Sequence, residues 1–320
     1  MRTVITGSSG LLGSAVARLL LQAGHDVVGL DLRLLPDAPF RQEPADLSRA
    51  GEWERLLDGA DLVVHTAAKV GEVGDPRDFA RLNVDLTGHV VRASASAGRL
   101  VHFSSIVVHG REFADGVDES GPVRPTGNPY TDTKIASEHL VLAAHAGGRV
   151  RATVVRPGDV YGPRSQPWTV RPVAMLRSGS FALVDGDRGV LSPVHVDDVA
   201  RGAVLAGTTD AALGQVLHLS SDGGVAPRIF FGHYARMTGT RLRSVPPRVA
   251  AAAAPVVGGA FRLLRRDPPL SDRTLEYVTH PGSYSVTAAA RVLGWRPEIG
   301  LDEGMAGTEA WLREQGLLAS

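Results

Sequence analysis

No cysteine occurs among the 320 residues. Disulfides, thiolate metal ligands and cysteine nucleophiles are therefore excluded, although this does not fix the compartment. Lysine is almost missing as well, with only Lys69 and Lys134 among the 34 basic residues. Neither charge sign is in excess, since 34 Lys and Arg balance 34 Asp and Glu. Without a net positive field to hold a nucleic-acid backbone by counterion release, nucleic acid is not an expected partner. Long hydrophobic runs are also lacking. The nearest, Val249 to Phe261, falls short of the roughly 18 residues of a membrane span and is interrupted by Pro255, Gly258 and Gly259, so no transmembrane segment is expected. The chain opens Met-Arg-Thr-Val-Ile-Thr-Gly without an apolar leader or small-residue cleavage site, from which a cytoplasmic location is expected.

What is present suits a globular protein with a substantial core: 43% hydrophobic and 21% charged residues, both ordinary values. The length fits one large domain plus a smaller dependent one. Short β-branched runs alternate with longer amphipathic segments. Thr3 to Thr6 precedes Leu11 to Ala23, and Asp26 to Asp31 precedes a segment around Gly51 to Leu57. Leu62 to Thr66, a helix through Arg77 to Ala97, Leu100 to Ser104, a helix from about Tyr130 to Ala146 and Ala152 to Arg156 continue the rhythm. Such alternation predicts an α/β fold, a Rossmann doubly wound parallel sheet built from right-handed βαβ units. After about Pro157, joints rich in proline and glycine loosen the pattern. Residues 1–160 therefore read as the dinucleotide-binding domain and 161–320 as mainly a smaller C-terminal substrate-binding domain, with about 190–220 returning to the first. The alanine run Ala250 to Ala254 reflects helix propensity.

Thr6-Gly7-Ser8-Ser9-Gly10-Leu11-Leu12-Gly13 lies directly after the first strand and opens the first helix. Glycines there let the backbone turn sharply and approach a pyrophosphate, whose charge rests on free N–H groups at the positive helix end. Asp31 ends the second strand, where its carboxylate can accept from both adenosine ribose hydroxyls and repel a 2'-phosphate, so NAD is favoured over NADP. Arg33, two residues on, would soften that preference, because a guanidinium suits a phosphate.

One of the two lysines stands four residues after a tyrosine. With five tyrosines and two lysines in 320 positions, a chance Tyr-x-x-x-Lys is expected only about 3% of the time. On a helix Tyr130 and Lys134 share one face, and a nearby ammonium favours phenolate, which makes a tyrosine useful as a base. The plainer alternative is a packed Tyr beside a snorkelling Lys.

Taken in order, these motifs resemble the extended short-chain dehydrogenase/reductase superfamily, in particular the NAD-dependent epimerase/dehydratase family and its hydroxysteroid dehydrogenase and dihydroflavonol reductase-like branch. Thr6 to Gly13 resembles its TGxxGxxG loop, with Gly7, Ser9, Gly10, Leu11, Leu12 and Gly13 at the cofactor. Asp46-Leu47 resembles the adenine-contacting acidic dipeptide, His65-Thr66-Ala67-Ala68 the segment behind the cofactor, and Asn83-Val84 the NV motif. Lys69 follows that segment and either faces the cofactor and substrate cleft or is a solvated loop cation. Phe103-Ser104-Ser105 ends the strand that carries the catalytic Ser or Thr. Counting back from Gly110 places that role on Ser105, with Ser104 at the cofactor. Arg156 to Pro163 resembles the RPxxxYGP turn beside the nicotinamide, with Pro157, Gly158 and Val160 as contacts. Val194 to Asp198 resembles the VHVDD segment, and Leu293-Gly294-Trp295-Arg296-Pro297 the C-terminal LGWxP signature. His109 stands where the family commonly has Tyr, either contacting substrate or merely packed in a loop.

The resemblance implies hydride transfer between the nicotinamide of NAD and a carbon bearing a hydroxyl or carbonyl, on a small-molecule substrate. Tyr130 would be general acid or base, Ser105 would hydrogen-bond the same oxygen, and Lys134 would lower the pKa of Tyr130 and hold the ribose. A homodimer through the helices at 77–97 and 130–146 is also implied. No metal is expected, because His195, Asp197 and Asp198 match the family's helix start, where Asp caps free N–H groups. No G-x-S-x-G elbow surrounds Ser105, so a hydrolase is not indicated.

Three functions compete: a dehydrogenase or reductase of a bulky secondary alcohol or ketone, a nucleotide-sugar epimerase or dehydratase using NAD transiently, and a non-catalytic dinucleotide sensor. Leu191-Ser192-Pro193 stands where sugar-nucleotide members often carry Arg-Asp, which favours the first. Arg164, Arg171, Arg177 and Arg188 could clamp a diphosphate, which favours the second. The stretch Arg241 to Arg266 has six arginines and no acid. It reads either as a hydrophobic lid or membrane-surface contact, or as an ordinary helix with a basic rim.

Overall fold

The protein, seen in a computed structural model, is described over residues 1–71, 74–110, 112–184, 189–263, 277 and 279–318. Strands β1 (Arg2–Thr6), β2 (Asp26–Asp31), β3 (Arg41–Pro44), β4 (Leu62–His65), β5 (Leu100–Phe103) and β6 (Ala152–Pro157) belong to one sheet. Three short strands follow, β7 (Asp159–Tyr161), β8 (Leu183–Val184) and β9 (Pro193–His195), before β10 (Val216–Leu219) completes that sheet. Its order is β10-β6-β5-β4-β1-β2-β3, with every neighbouring pair parallel. β7 pairs with β9, and β8 with β11 (Ser244–Val245).

Central strands such as Leu62–His65 and Leu100–Phe103 are buried at every position, as a sheet covered on both faces requires. Helix α1 (Leu11–Gln22) packs on one face through Val16, Ala17 and Leu20. It meets α7 (Val196–Thr208), whose Val199, Ala200 and Ala203 join the same core. Between them in sequence run the short α2 (Glu54–Leu57), then α3 (Pro76–Phe79), α4 (Leu86–Ala93), α5 (Pro129–Ala146) and α6 (Arg171–Arg177). On the opposite face α4 and α5 contribute Val90, Val141 and Ala144 to a second core.

A third cluster, built from Tyr161, Leu176, Phe230, Tyr234 and Met305, is set apart from the sheet. It lies beneath α6, α8 (Pro227–Met237) and the last helix, α11 (Leu301–Glu314). Helices α9 (Pro247–Leu263) and α10 (Thr287–Leu293) fill the interval. The apolar run from Val249 thus lies in one helix with Pro255 inside it. Among the described residues no helix is long and apolar enough to cross a membrane. Arg265 and Arg266, part of the basic stretch, lie outside the described residues.

Two elements differ from the sequence reading. Strand β3, Arg-Gln-Glu-Pro, has no hydrophobic alternation and is defined by pairing with β2 at the sheet edge, where charges discourage further pairing. The helix expected through Arg77 to Ala97 is α3, a wide π-type turn over Ala80–Asp85 and α4, ending at Ala93.

The chain moves outward from β1 through β2 to β3, then returns to β4 on the other side of β1. Loops leaving β1 and β4 therefore diverge at their carboxyl ends, and that divergence opens the crevice where ligands bind in doubly wound sheets.

Candidate active site

Gly7 leaves β1 with φ +73°, a conformation costly for any residue with a Cβ. A Cβ here would also fall 2.7 Å from Ala67 N, and one on Gly13 would lie 2.2 Å from Gly7 O. The loop can therefore close onto the loop after β4 only with glycine at these points. Gly10 caps α1 without a side-chain hydrogen bond, leaving the first-turn N–H groups to an external acceptor. At the end of β2 the Asp31 carboxylate accepts from Ser9 N at 3.0 Å and from Arg33 N at 3.3 Å.

A cleft of about 1640 Å³ runs over the carboxyl ends of the strands. Of the residues expected at the cofactor, Gly7, Ser9 to Leu12, Asp31, Asp46, Leu47 and Ala67 to Lys69 line it, as do Ser104, Pro157, Gly158 and Val160. Ser105 and Tyr130 line the same space. Four expected residues do not line it. Gly13 serves by close packing beneath Gly7. Arg33 is exposed, and Leu32 lines the cleft instead. Asn83 is buried, its Oδ1 accepting from Lys69 N at 2.7 Å and its Nδ2 donating to Lys69 O at 3.1 Å and Thr133 Oγ1 at 3.0 Å. With its amide fully used by protein, Asn83 acts as a brace between the loop after β4 and α5. Lys134, the fourth, is 5% exposed, its Nζ donating to Phe103 O at 2.7 Å.

Helix α5 starts where Asn128 Oδ1 accepts from Tyr130 N at 2.9 Å, with Pro129 at its first position. This cap sets the Tyr130 ring at the cleft wall. Burial pushes the Tyr130 phenol up to about 12, and the nearby Ser105 hydroxyl opposes the shift without cancelling it. The shift is opposite in direction to that expected from the Tyr-x-x-x-Lys spacing. The reason is that the Lys134 ammonium is held at Phe103 O, and burial brings it down to about 8.

Lys69 lines the cleft and lays its ammonium over the Phe79 ring, 5.1 Å from the centroid. His109 is fully buried; its Nδ1–H donates to Pro122 O at 2.9 Å, and its Nε2 lies 3.1 Å from Arg156 Nη1. Burial, reinforced by Arg156, depresses it to about 4. It is a packed histidine here. No metal-binding group of His, Asp and Glu is found among the described residues. His195 caps α7, and Asp198 accepts from Glu298 N and Ile299 N at 3.0 Å each, tying the C-terminal segment to the helix start.

Two cleft residues escaped the sequence reading of the cofactor site. Arg164, at φ +70°, reaches across from the second half of the chain to Ser14 Oγ at 2.7 Å and Ser9 O at 2.9 Å, clamping the glycine loop. Asp159, within the Arg156 to Pro163 turn, is 3% exposed and lines the cleft. The positive φ of Arg164 has no sequence signal, and an acid inside a short strand is not distinguished from its neighbours.

Residues 3–218 match the family described as NAD dependent epimerase/dehydratase. The chain belongs to that family. It is an NAD-dependent enzyme of the short-chain dehydrogenase/reductase type, and its relatives in the family include both reductases and epimerases. A 2-alkyl-3-oxoalkanoate reductase of Stenotrophomonas maltophilia is 27% identical, covering 95% of this chain and 97% of its own. A UDP-glucose 4-epimerase of Mycolicibacterium smegmatis is 29% identical, covering 98% and 99%. Among solved structures, MoeE5 in complex with UDP-glucuronic acid and NAD superposes with a TM-score of 0.79 at 26% identity, covering 98% of this chain and 100% of that one. The glycine cradle, the uncapped α1 terminus and the acid ending β2 fit NAD as the family's cofactor.

Proposed function

We propose that this family member uses NADH to reduce a bulky, largely apolar ketone, with Tyr130 as the proton donor. The observation that carries this reading is that Ser105 and Tyr130 face one cleft together with the glycine loop. When bound, NAD supplies the hydride carrier at the nicotinamide. Ser105 and Tyr130 would both donate to the carbonyl oxygen of the substrate, and Tyr130 would release its proton as that oxygen becomes alkoxide. At neutral pH the phenol carries its proton, as donation to a ketone oxygen requires. Lys134, one turn further along α5, lends positive charge beneath the site. Residues 1–160, with about 190–220 returning to them, would form the cofactor half, where Asp31 favours NAD over NADP and Arg164 closes the loop.

The rest of the cleft includes the aromatic side chains Phe113, Trp168, Tyr284 and Trp311 beside aliphatic ones such as Ile106, Val170 and Leu317. These suit an apolar ring system. Of the four arginines that could hold a diphosphate, Arg164 is engaged with the glycine loop and Arg177 donates to Leu317 O. Arg188 lies outside the described residues, and Arg171 lines the cleft. Arg171 is the specific observation behind a second reading, a nucleotide-sugar epimerase.

The Tyr130→Phe variant should bind NADH as the wild type does, by fluorescence titration, yet lose at least about a hundredfold in turnover of bulky cyclic ketones. Near-normal turnover would remove Tyr130 from the mechanism. A thermal-shift screen of the NAD complex separates the two readings, because only a bound ligand stabilises the folded state. Stabilisation by UDP, dTDP or GDP, with none from cyclic ketones, would establish the epimerase reading in place of the first.

A further inference from the structure

Among the described residues, three acids are buried to a few per cent exposure: Glu138, Asp198 and Asp159. Glu138 pairs with Arg156, and Asp198 with Arg201. Asp159 has no cation beside it among the described residues. Its position follows from the turn before β7. A Cβ on Gly158 would lie 2.5 Å from Ser192 O, and this close approach lets Asp159 N donate to that oxygen at 2.8 Å. Ser192 N returns a bond to Asp159 Oδ2 at 2.8 Å, while β7–β9 pairing keeps the two segments in register.

The other carboxyl oxygen, Oδ1, accepts the hydroxyl proton of Tyr277 at 2.5 Å. Tyr277, 118 positions away, lines the same cleft as Ser105 and Tyr130. Its phenol lies within electrostatic reach of Tyr284 and Tyr130. A phenol whose one proton is committed to a carboxylate has only lone pairs to offer anything else. The carboxylate polarises that O–H bond and strengthens the oxygen as an acceptor.

We infer that Asp159 and Tyr277 form a specificity-determining acceptor in the cleft wall, selecting ligands that carry a hydrogen-bond donor, a second hydroxyl or an amino group, beside the reacting carbonyl. A ligand presenting only an oxygen there sets lone pair against lone pair and leaves the phenol oxygen unpaired. The inference rests on the reductase reading only in naming a carbonyl as the reacting group.

The arrangement reverses with pH. Burial raises Asp159 to about 6. Below that pH the added proton sits on Oδ1, because Oδ2 is occupied by Ser192 N–H, and Asp159 becomes the donor to Tyr277. The Tyr277 proton is then free to turn into the cleft. The titratable groups facing Asp159 are Tyr277 and Tyr284.

The test measures binding of 1-indanone and 2-hydroxy-1-indanone to the full-length enzyme–NADH complex by quenching of NADH fluorescence. At about pH 8 the hydroxylated probe should bind roughly tenfold more tightly, and at about pH 5.5 that preference should fall several-fold. Tyr277→Phe should erase the preference at both pH values, and Asp159→Asn should make it independent of pH. Equal binding of the two probes to wild type, no binding of either, or an unchanged preference in Tyr277→Phe would overturn the inference. NADH oxidation followed in the same samples keeps the two readings apart. Preference without turnover leaves the acceptor pair standing and sinks the reductase, whereas turnover without preference sinks the pair alone.

Discussion

Lys134 carries its charge where water cannot reach it, with Phe103 O as its hydrogen-bond acceptor. Folding lowers its pKa from 10.5 to about 8, so the unfolded chain holds this proton more tightly than the folded one. Stability is therefore fully penalised below about pH 8 and regained as pH rises towards 10.5. A displacement of that size corresponds to about 3 kcal/mol, from which the lost bond to Phe103 O subtracts ~1 kcal/mol. Lys134→Met should accordingly raise the unfolding free energy at neutral pH by ~1 to 3 kcal/mol while abolishing turnover. A urea titration with an unchanged slope would register the gain, and a lower midpoint would show that the ammonium stabilises the fold. The Tyr-x-x-x-Lys spacing was legible in the sequence, but the direction of each pKa was not. Spacing places two side chains on one helix face, whereas desolvation depends on what the rest of the chain packs over them.

Helix α5 is fastened to the sheet by an ion pair. Glu138 on α5 and Arg156 on β6 each leave 2% of the side chain exposed, with Arg156 Nε donating to Glu138 Oε2 at 3.0 Å. The same guanidinium reaches His109 and Glu119 O, so one pair connects α5, β6 and the loop after β5. Removing one partner of a buried pair strands the other charge. Glu138→Ala should therefore cost ~3 to 5 kcal/mol in chemical denaturation, while Glu138→Leu combined with Arg156→Met should cost far less. A double variant as unstable as the single would mean that the pair contributes through its hydrogen bonds to neighbouring elements and not by charge compensation. Helices α1 and α5 could be read almost to their ends, α1 from its apolar period and α5 from the Asn128-Pro129 start and the Tyr-x-x-x-Lys spacing. Strand β3 could not, because Arg-Gln-Glu-Pro has no apolar alternation and becomes a strand only by pairing with β2. The turn over Ala80–Asp85 was hidden for a related reason, since it forms where Asn83 turns inward to brace Lys69 and Thr133.

Acid should unfold the whole molecule early. His65, His109 and His218 are buried and depressed to about 3, about 4 and about 3. Each is neutral in the folded state between pH 6.5 and those values, while the unfolded chain takes up the proton. The unfolded state thus binds more protons in that window, and stability falls as pH falls. Three such groups give a slope of ~4 kcal/mol per pH unit, against a typical total of ~5 to 15 kcal/mol. Circular dichroism from neutral pH downward should show cooperative loss of structure at about pH 4 to 5. A protein still folded at about pH 3.5 would mean that these imidazoles gain solvent or partners on protonation.

Local composition and order along the chain determined the parallel sheet, the glycine cradle for NAD and the placing of Tyr130 and Lys134 on one helix face, while family resemblance added Ser105. Those features depend on periodicity, turn chemistry and spacing within a few residues, which a sequence carries directly. Tertiary structure alone decided that Lys134 sits on Phe103 O, that Arg164 clamps the glycine loop from the other half of the chain, and that Asp159 meets Tyr277. Each of these depends on burial or on contact between distant segments, and both arise only when the sheet, its helices and the C-terminal half pack around one cleft.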